Sequence, residues 1–249
     1  MIDLGRRYHH LVSVDGVVNL YKPVGPSSAR FVYRLRPILG ERRIGHAGAL
    51  DPFAEGVLLA CCGRATRLVE RLMALEKTYD AGLILGVTND TFDPEQPFRP
   101  VPGATEPGED AVRRTVDALV GEIDQVPPEF SALKIDGRPA YERARRARGD
   151  AASSPSAMSP RRVRVAAIEV RRYAWPELDL TIRCGRGTYI RAIARDLGQA
   201  VGCGACCKSL LRRAVGPFIA ADALRLEGAQ AEAVRSALLP IGAVQALLD

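Results

Sequence analysis

Histidine is scarce in this chain of 249 residues. Only His9, His10 and His46 occur, with no HExxH pair, so a histidine-rich catalytic metal centre is disfavoured. A GxxxxGKS/T phosphate loop and a GxSxG elbow are both missing. Gly185-Arg186-Gly187 fails the dinucleotide fingerprint, because Ile190 stands where the third glycine belongs. ATP hydrolysis, nicotinamide redox and hydrolase-elbow chemistry are therefore disfavoured, and neither a cofactor nor a bound metal is expected. Long apolar runs are lacking too. The longest, Val57 to Cys62, is far too short to cross a bilayer, and MIDLGRRYHHLVSVDG has no apolar h-region. The expectation is a soluble, cytoplasmic protein with no membrane partner.

Lysine is nearly absent. Of 35 basic residues only Lys22, Lys77, Lys134 and Lys208 are lysines, and with 29 acids the net charge is +6. Arginine forks suit phosphates and stacked bases, although a coding bias towards arginine would leave the same imprint. Arg143, Arg145, Arg146, Arg148, Arg161, Arg162 and Arg164 crowd one stretch. The six cysteines do not form a disulfide framework in a chain this long, and Cys203-x-x-Cys206 has no second pair at metal-ligand spacing. Buried, reduced thiols are the reading, with adjacent Cys61 and Cys62 pointing opposite ways on an extended segment.

Periodicity predicts strands at 16–21, 57–63 and 77–86, the last with Tyr79, Ala81 and Leu83 on one face. A helix starts at Ser28 as N-cap and stops at Pro37, and others cover 64–75, 109–120 and 190–201. The segments 41–56 and 93–108 read as loops, and VRVAAIEVRRY and LDLTIRC as strands. Residues 127–162 form an excursion from the core, and DAASSPSAMSPRR within it has too little apolar content to pack. Strands and helices interleave without regular repetition. An α+β fold with a mixed, largely antiparallel sheet is expected.

Three places could hold chemistry. In Gly45-His46-Ala47-Gly48-Ala49-Leu50-Asp51-Pro52, glycines admit close approach and the aspartate before proline is held extended. Such a carboxylate could be nucleophile, general base or metal ligand, but Asp-Pro in a glycine-rich loop is also ordinary turn chemistry. In Gly187-Thr188-Tyr189-Ile190-Arg191, arginine could pair bidentately with a carboxylate, or lie in solvent beyond a Thr188 cap. Tyr79 could stack on a base or move a proton, or simply fill the core.

Five ordered motifs carry a resemblance: GVVNLYKPVGPSS, GHAGALDPFAEGVL, KTYDAGLILG with TNDT, PPEFSALKIDGRPAYERAR, and CGRGTYIRAIARDLG-x5-GA. Together, over about 15–218, they resemble the TruB family of tRNA pseudouridine synthases. That resemblance implies a single catalytic domain over 1–249, with a catalytic cleft and an RNA-gripping flap at about 127–162. It also implies isomerisation of a T-loop uridine of tRNA by base flipping, without cofactor. Asp51 maps onto the nucleophile, Arg191 onto its ion-pair partner and Tyr79 onto the residue packing on the base, a candidate for proton transfer. His46 resembles the residue inserted beside the displaced nucleotide. Tyr189 and Leu210 line the base pocket, and Lys22 lies near the cleft. A monomer with no obligatory protein partner is expected. The motifs departing from the family pattern are mild: Ala49 stands where many relatives carry threonine and Phe130 where many carry tyrosine. Ending near Leu238-Leu239-Pro240-Ile241, the chain is expected to lack a separate C-terminal RNA-binding domain. The alternative is an RNA-binding or tRNA-folding module with little catalysis. A guide-RNA-dependent relative and a zinc-binding protein using Cys203, Cys206 and Cys207 stand further off.

Overall fold

The computed structural model describes residues 14–128 and 158–249, together with the backbone of 134–135 and 138–139. The chain opens with β1 (Gly16–Lys22), α1 (Ser28–Val32), α2 (Leu35–Leu39), β2 (Ile44–His46) and β3 (Glu55–Cys62). A 3-10 turn leads into α3 (Val69–Ala74) and then β4 (Lys77–Leu85), with a small pair β5 (Val87–Thr88) and β6 (Arg99–Pro100). Next come α4 (Glu109–Ala118), β7 (Gly121–Gln125) and the short hairpin β8 (Lys134–Ile135) and β9 (Arg138–Pro139). The rest is β10 (Arg161–Ala174), β11 (Glu177–Cys184), α5 (Ile190–Ala200), β12 (Ala205–Val215), β13 (Phe218–Ile219), α6 (Ala231–Ser236), β14 (Leu238–Pro240) and α7 (Ile241–Ala246).

The main sheet has the order β14-β1-β3-β12-β4-β11-β10-β7, with β2 on β3 and β13 on β12. Neighbours are antiparallel except β12 and β3, which run parallel where Arg212 faces Gly56. The sheet is mixed and mostly antiparallel, in an α+β fold. β3 is buried along nearly its whole length, which is why VLLACC is continuously apolar. Cys61 packs with Val57 and Leu59 on one face, and Cys62 with Leu58 and Ala60 on the other. β4 alternates: Tyr79, Ala81, Leu83 and Leu85 join α4 and α5 in the largest cluster. Burying Leu83, Leu85, Leu178, Leu180, Ile193 and Leu197 there contributes about 1.5–3 kcal/mol per side chain before the entropy of ordering it.

Several boundaries differ from the sequence reading. Ser27, not Ser28, caps α1, its hydroxyl accepting from the Arg30 amide. Pro37 does not end a helix; it lies in the first turn of α2, where no amide donor is needed. The 41–56 segment contains β2 and the start of β3, and 64–75 begins as 3-10 helix. Thr188 is not the cap of α5, which is Tyr189. β12 escaped the reading altogether. The two flanks of the 127–162 excursion are neighbours, because Arg161 of β10 faces Gln125 of β7. Most of the excursion, with Phe130, Arg143, Arg145, Arg146, Arg148 and the tract 150–157, lies outside the described residues, as do His9 and His10.

Candidate active site

Asp51 sits on the loop between β2 and β3, and buried polar side chains from distant elements hold that loop by its backbone. Ser28 of α1 donates to the Leu50 carbonyl at 3.0 Å and accepts from the Leu50 amide at 2.8 Å. Lys22, wholly buried at the end of β1, donates to the carbonyls of Pro23, Pro52 and Ala54 at 3.0, 3.3 and 2.7 Å. Arg212 of β12, also buried, donates to Gly48, Ala49 and Val57 at 3.0, 3.3 and 2.7 Å. Glycine is needed at two places here, at Gly48 for its backbone angle and at Gly56 for the close approach of β12. Gly48 has φ +90°, and Gly56 has φ +106° with space for a Cβ only 2.3 Å from the Arg212 carbonyl. A loop gripped at this many points keeps one conformation.

Arg191 closes the site from α5. Its Nε donates to Asp51 Oδ2 at 2.9 Å and its Nη2 to Asp51 Oδ1 at 3.1 Å, a bidentate fork spanning 140 residues. The guanidinium is buried, with 3% of its side chain exposed, whereas 34% of the Asp51 side chain is exposed. The remaining fork nitrogen, Nη1, reaches the Thr91 carbonyl at 3.0 Å and Asp93 Oδ2 at 3.1 Å. One guanidinium is thus shared between two carboxylates.

Asp93 is placed by the TNDTFDP turn. Thr91 Oγ1 and the Glu95 amide donate to its Oδ1 at 2.7 and 3.0 Å. Asn89 Nδ2 holds the carbonyls of Asp93 and Gln96. Phe92 adopts φ 55°, the left-handed region, and its carbonyl accepts from the Cys207 amide. Burial raises the Asp93 carboxyl above its ordinary range, while Thr91, Arg191 and the Glu95 amide pull the other way.

The remaining expected site residues gather around this ion pair. Tyr79 faces Arg212 across the β4–β12 ladder, and Leu210 faces Ala81 beside it. Both share the cluster that holds Leu50 and Phe53. Burial lifts the Tyr79 phenol above its usual value, against the opposing effect of Arg212, so it carries its proton at neutral pH. Tyr189 is half-buried at the start of α5. Its amide donates to Gln125 Oε1 and its carbonyl accepts from Gln125 Nε2, at 2.8 and 3.1 Å. His46 ends β2 with Nδ1 buried and without a hydrogen-bond partner among the described residues. Burial, then the Arg212 charge, lower its pKa, so the imidazole is neutral at pH 7. Lys22 takes a loop-holding position, its ammonium spent on three carbonyls and its pKa pushed down to about 8 by burial.

The sequence reading missed Arg212, Asp93 and Gln125. Arg212 stands in LLRRAV with no local mark of burial. Asp93 lies two residues beyond the TNDT motif, whose own aspartate is Asp90, and a glutamine bracing a helix start leaves no sequence signal. Cys203, Cys206 and Cys207 are buried free thiols hydrogen-bonded to separate carbonyl groups. Among the described residues no group of three or more histidine, cysteine or acidic side chains is arranged to hold a metal ion.

Comparison with known proteins bears on this geometry. Residues 36–190 match the family described as TruB family pseudouridylate synthase, N terminal domain. The chain is 41% identical over 231 residues to a tRNA pseudouridine synthase B of Thiobacillus denitrificans, covering 92% of this chain and 75% of that protein. It is 39% identical over 221 residues to the protein of that name from Opitutus terrae, covering 88% of each. Among solved structures, a Cbf5-Nop10-Gar1 complex contains a chain with TM-score 0.68 and 28% identity. An archaeal box H/ACA sRNP Nop10-Cbf5 complex gives 0.64 and 26%. The match covers 92% and 94% of this chain but only 61% and 62% of those two chains.

Proposed function

The chain belongs to the TruB family of pseudouridylate synthases, and on that premise we propose that it isomerises a T-loop uridine of tRNA with Asp51 as nucleophile. The observation that carries the reading is the Arg191–Asp51 fork, with its arginine buried and its aspartate partly exposed. Conversion of uridine to pseudouridine breaks the bond from N1 to C1′ and makes one from C5 to C1′. C5 loses a proton and N1 gains one, so substrate and product are isomers and no outside electron or energy source enters. A carboxylate at C1′ meets the positive charge that develops as the N1 bond breaks, and Arg191 fixes its direction.

A uridine inside an RNA loop must leave its stack before Asp51 can reach it, at a cost of a few kcal/mol. On this reading Tyr79 and Leu210, diagonal neighbours across β4 and β12, offer the flipped base an aromatic and an aliphatic wall, with Tyr189 completing the pocket. Tyr79, as a protonated phenol, stacks and exchanges a proton without holding charge in that apolar site. His46, uncharged, is suited to replace the base in its stack. The same reading has the protein acting as a cytoplasmic monomer, without cofactor or protein partner.

Incubating the purified chain with an unmodified tRNA transcript and mapping the modified position tests the assignment. Asp51→Asn keeps the size of the side chain but removes its negative charge and turns one of the two acceptors of the Arg191 fork into an NH2 donor. It is expected to abolish pseudouridine while leaving tRNA binding nearly intact. Turnover by that variant, or modification outside the T-loop alone, overturns the reading.

A further inference from the structure

We propose that the face built from α1, α2 and the run into β2 is a second RNA-binding surface, taking backbone phosphates of the tRNA whose uridine enters the base pocket. This rests on the proposed function. Residues 30–43 carry Arg30, Arg34, Arg36, Arg42 and Arg43 against the single acid Glu41, and no lysine. All five arginines are exposed. Arg34 pairs with Glu227 at 3.2 Å. Arg30, Arg36, Arg42 and Arg43 form no ion pair among the described residues. Glu41 neutralises none of them: its carboxylate accepts from the Arg43 backbone amide at 2.7 Å.

Elsewhere on the surface several arginines meet acids, as in Arg64–Asp15, Arg71–Asp249, Arg113–Glu109, Arg172–Glu177 and Arg186–Glu70. The exposed ones that meet none among the described residues, such as Arg67, Arg114 and Arg235, are spread over separate elements. The groove across the far face of the sheet, lined by Asp80, Arg171 and Asp179, is likewise compensated, with Arg171 and Arg213 both on Asp80. Unpaired guanidinium groups on one face are forks with their donors unused, which is what a phosphate oxygen needs. One of them is held ready. The Arg36 guanidinium lies 3.6 Å from the centre of the Tyr33 ring, and that tyrosine is itself 42% exposed. Stacking limits the arginine's rotamers while leaving its edge free, which lowers the entropy lost on binding.

Placement relative to the site supports RNA as the occupant. The face is joined to the Asp51 loop by the two Ser28–Leu50 bonds and by the Gly25 amide on the Pro52 carbonyl at 2.8 Å. Phe31, Val32, Leu35 and Ile44 pack in one cluster, so α1, α2 and β2 form a rigid unit ending at His46. Because this unit touches the Asp51 loop directly, its unpaired positive charge lies within reach of the phosphates that flank a nucleotide at Asp51 and favours them.

The test compares wild type with the quadruple variant Arg30→Gln, Arg36→Gln, Arg42→Gln, Arg43→Gln, and with a control carrying Arg113→Gln and Arg114→Gln on α4. Binding of unmodified tRNA transcript is measured over a salt series, and single-turnover conversion at saturating transcript. The quadruple variant is expected to bind on the order of 30- to 100-fold more weakly, with a salt slope shallower by about 3.5, since each of the four lost phosphate contacts removes roughly 0.9. Its rate at saturation is expected to match wild type, and the control to bind within about twofold of it. Unchanged affinity and slope in the quadruple variant overturn the proposal, and so does an equal loss in the control, which would mean net charge alone. Loss of binding to anionic phospholipid vesicles with tRNA binding intact also overturns it. If wild type binds the transcript and the variant does not, but wild type makes no pseudouridine, this surface stands and the proposed reaction fails.

Discussion

Ser28→Ala separates a helix cap from a latch on the catalytic loop. The Ser28 hydroxyl donates to the Leu50 carbonyl at 3.0 Å and accepts from the Leu50 amide at 2.8 Å, and Ser28 is 3% exposed. Removing one oxygen leaves both groups buried without partners, at about 1–3 kcal/mol each, so the loss is about 2–6 kcal/mol. Ser27→Ala removes only an exposed cap bond of 3.4 Å, worth about 0.5–1 kcal/mol. A domain in the middle of the ordinary range, about 10 kcal/mol, remains folded in either case. Leu50 immediately precedes Asp51, so freeing it lets the carboxylate drift, and a misplacement of about 1 Å costs roughly a hundredfold in rate. Urea unfolding at unchanged slope gives the stability difference, and single-turnover conversion of a tRNA transcript gives the rate. Losses in Ser28→Ala no larger than those in Ser27→Ala, or a rate equal to wild type, refute the reasoning.

Arg212→Lys keeps a charge but cannot reach Gly48, Ala49 and Val57 together. Conversion is expected to slow by about a hundredfold with tRNA affinity within about twofold, checked by pairing single-turnover rates with equilibrium binding. Asp93→Asn leaves Arg191 with one carboxylate, and is expected to lose about 1–3 kcal/mol in urea unfolding and to slow turnover without weakening tRNA binding. Because burial and Arg212 lower His46 below 6.5, the folded chain binds fewer protons there than the unfolded one. The stability tied to neutral His46 is full above 6.5 and is lost as pH falls through its lowered folded value. His46→Gln is expected to flatten that acid-side decline when urea midpoints are compared at about pH 7.5 and about pH 5, and an unchanged slope counts against it.

Much of the scaffold could be read directly from residue order. The 2.0-residue alternation of KTYDAGLIL marks β4, the continuous run VLLACC marks a strand covered on both faces, and the 3.6-residue spacing of Ile190, Ile193, Ala194 and Leu197 marks α5. The ordered motifs likewise point to Asp51, Tyr79 and Arg191. Adjacent serines defeated the reading at α1, since both 27 and 28 are good caps and only the position of the Asp51 loop decides which one turns inward. β12 went unread because ACCKSLLRRAV mixes buried and exposed positions across two register shifts.

The amino-acid order by itself determined the elements, the apolar faces and the chemical types present, because propensity and periodicity act within a few residues of each other. The resemblance implies the Arg191–Asp51 pair, but only the tertiary structure decided that its fork is bidentate, that Asp93 shares the same guanidinium, and that Lys22, Ser28 and Arg212 grip one loop from three elements. The reason lies in the difference between the two forces. Apolar burial depends on area and is indifferent to the particular neighbour, so it leaves a periodic trace in the chain. A buried polar group needs a partner within about 3 Å in the right direction, and strand register and packing, not local sequence, bring that partner there.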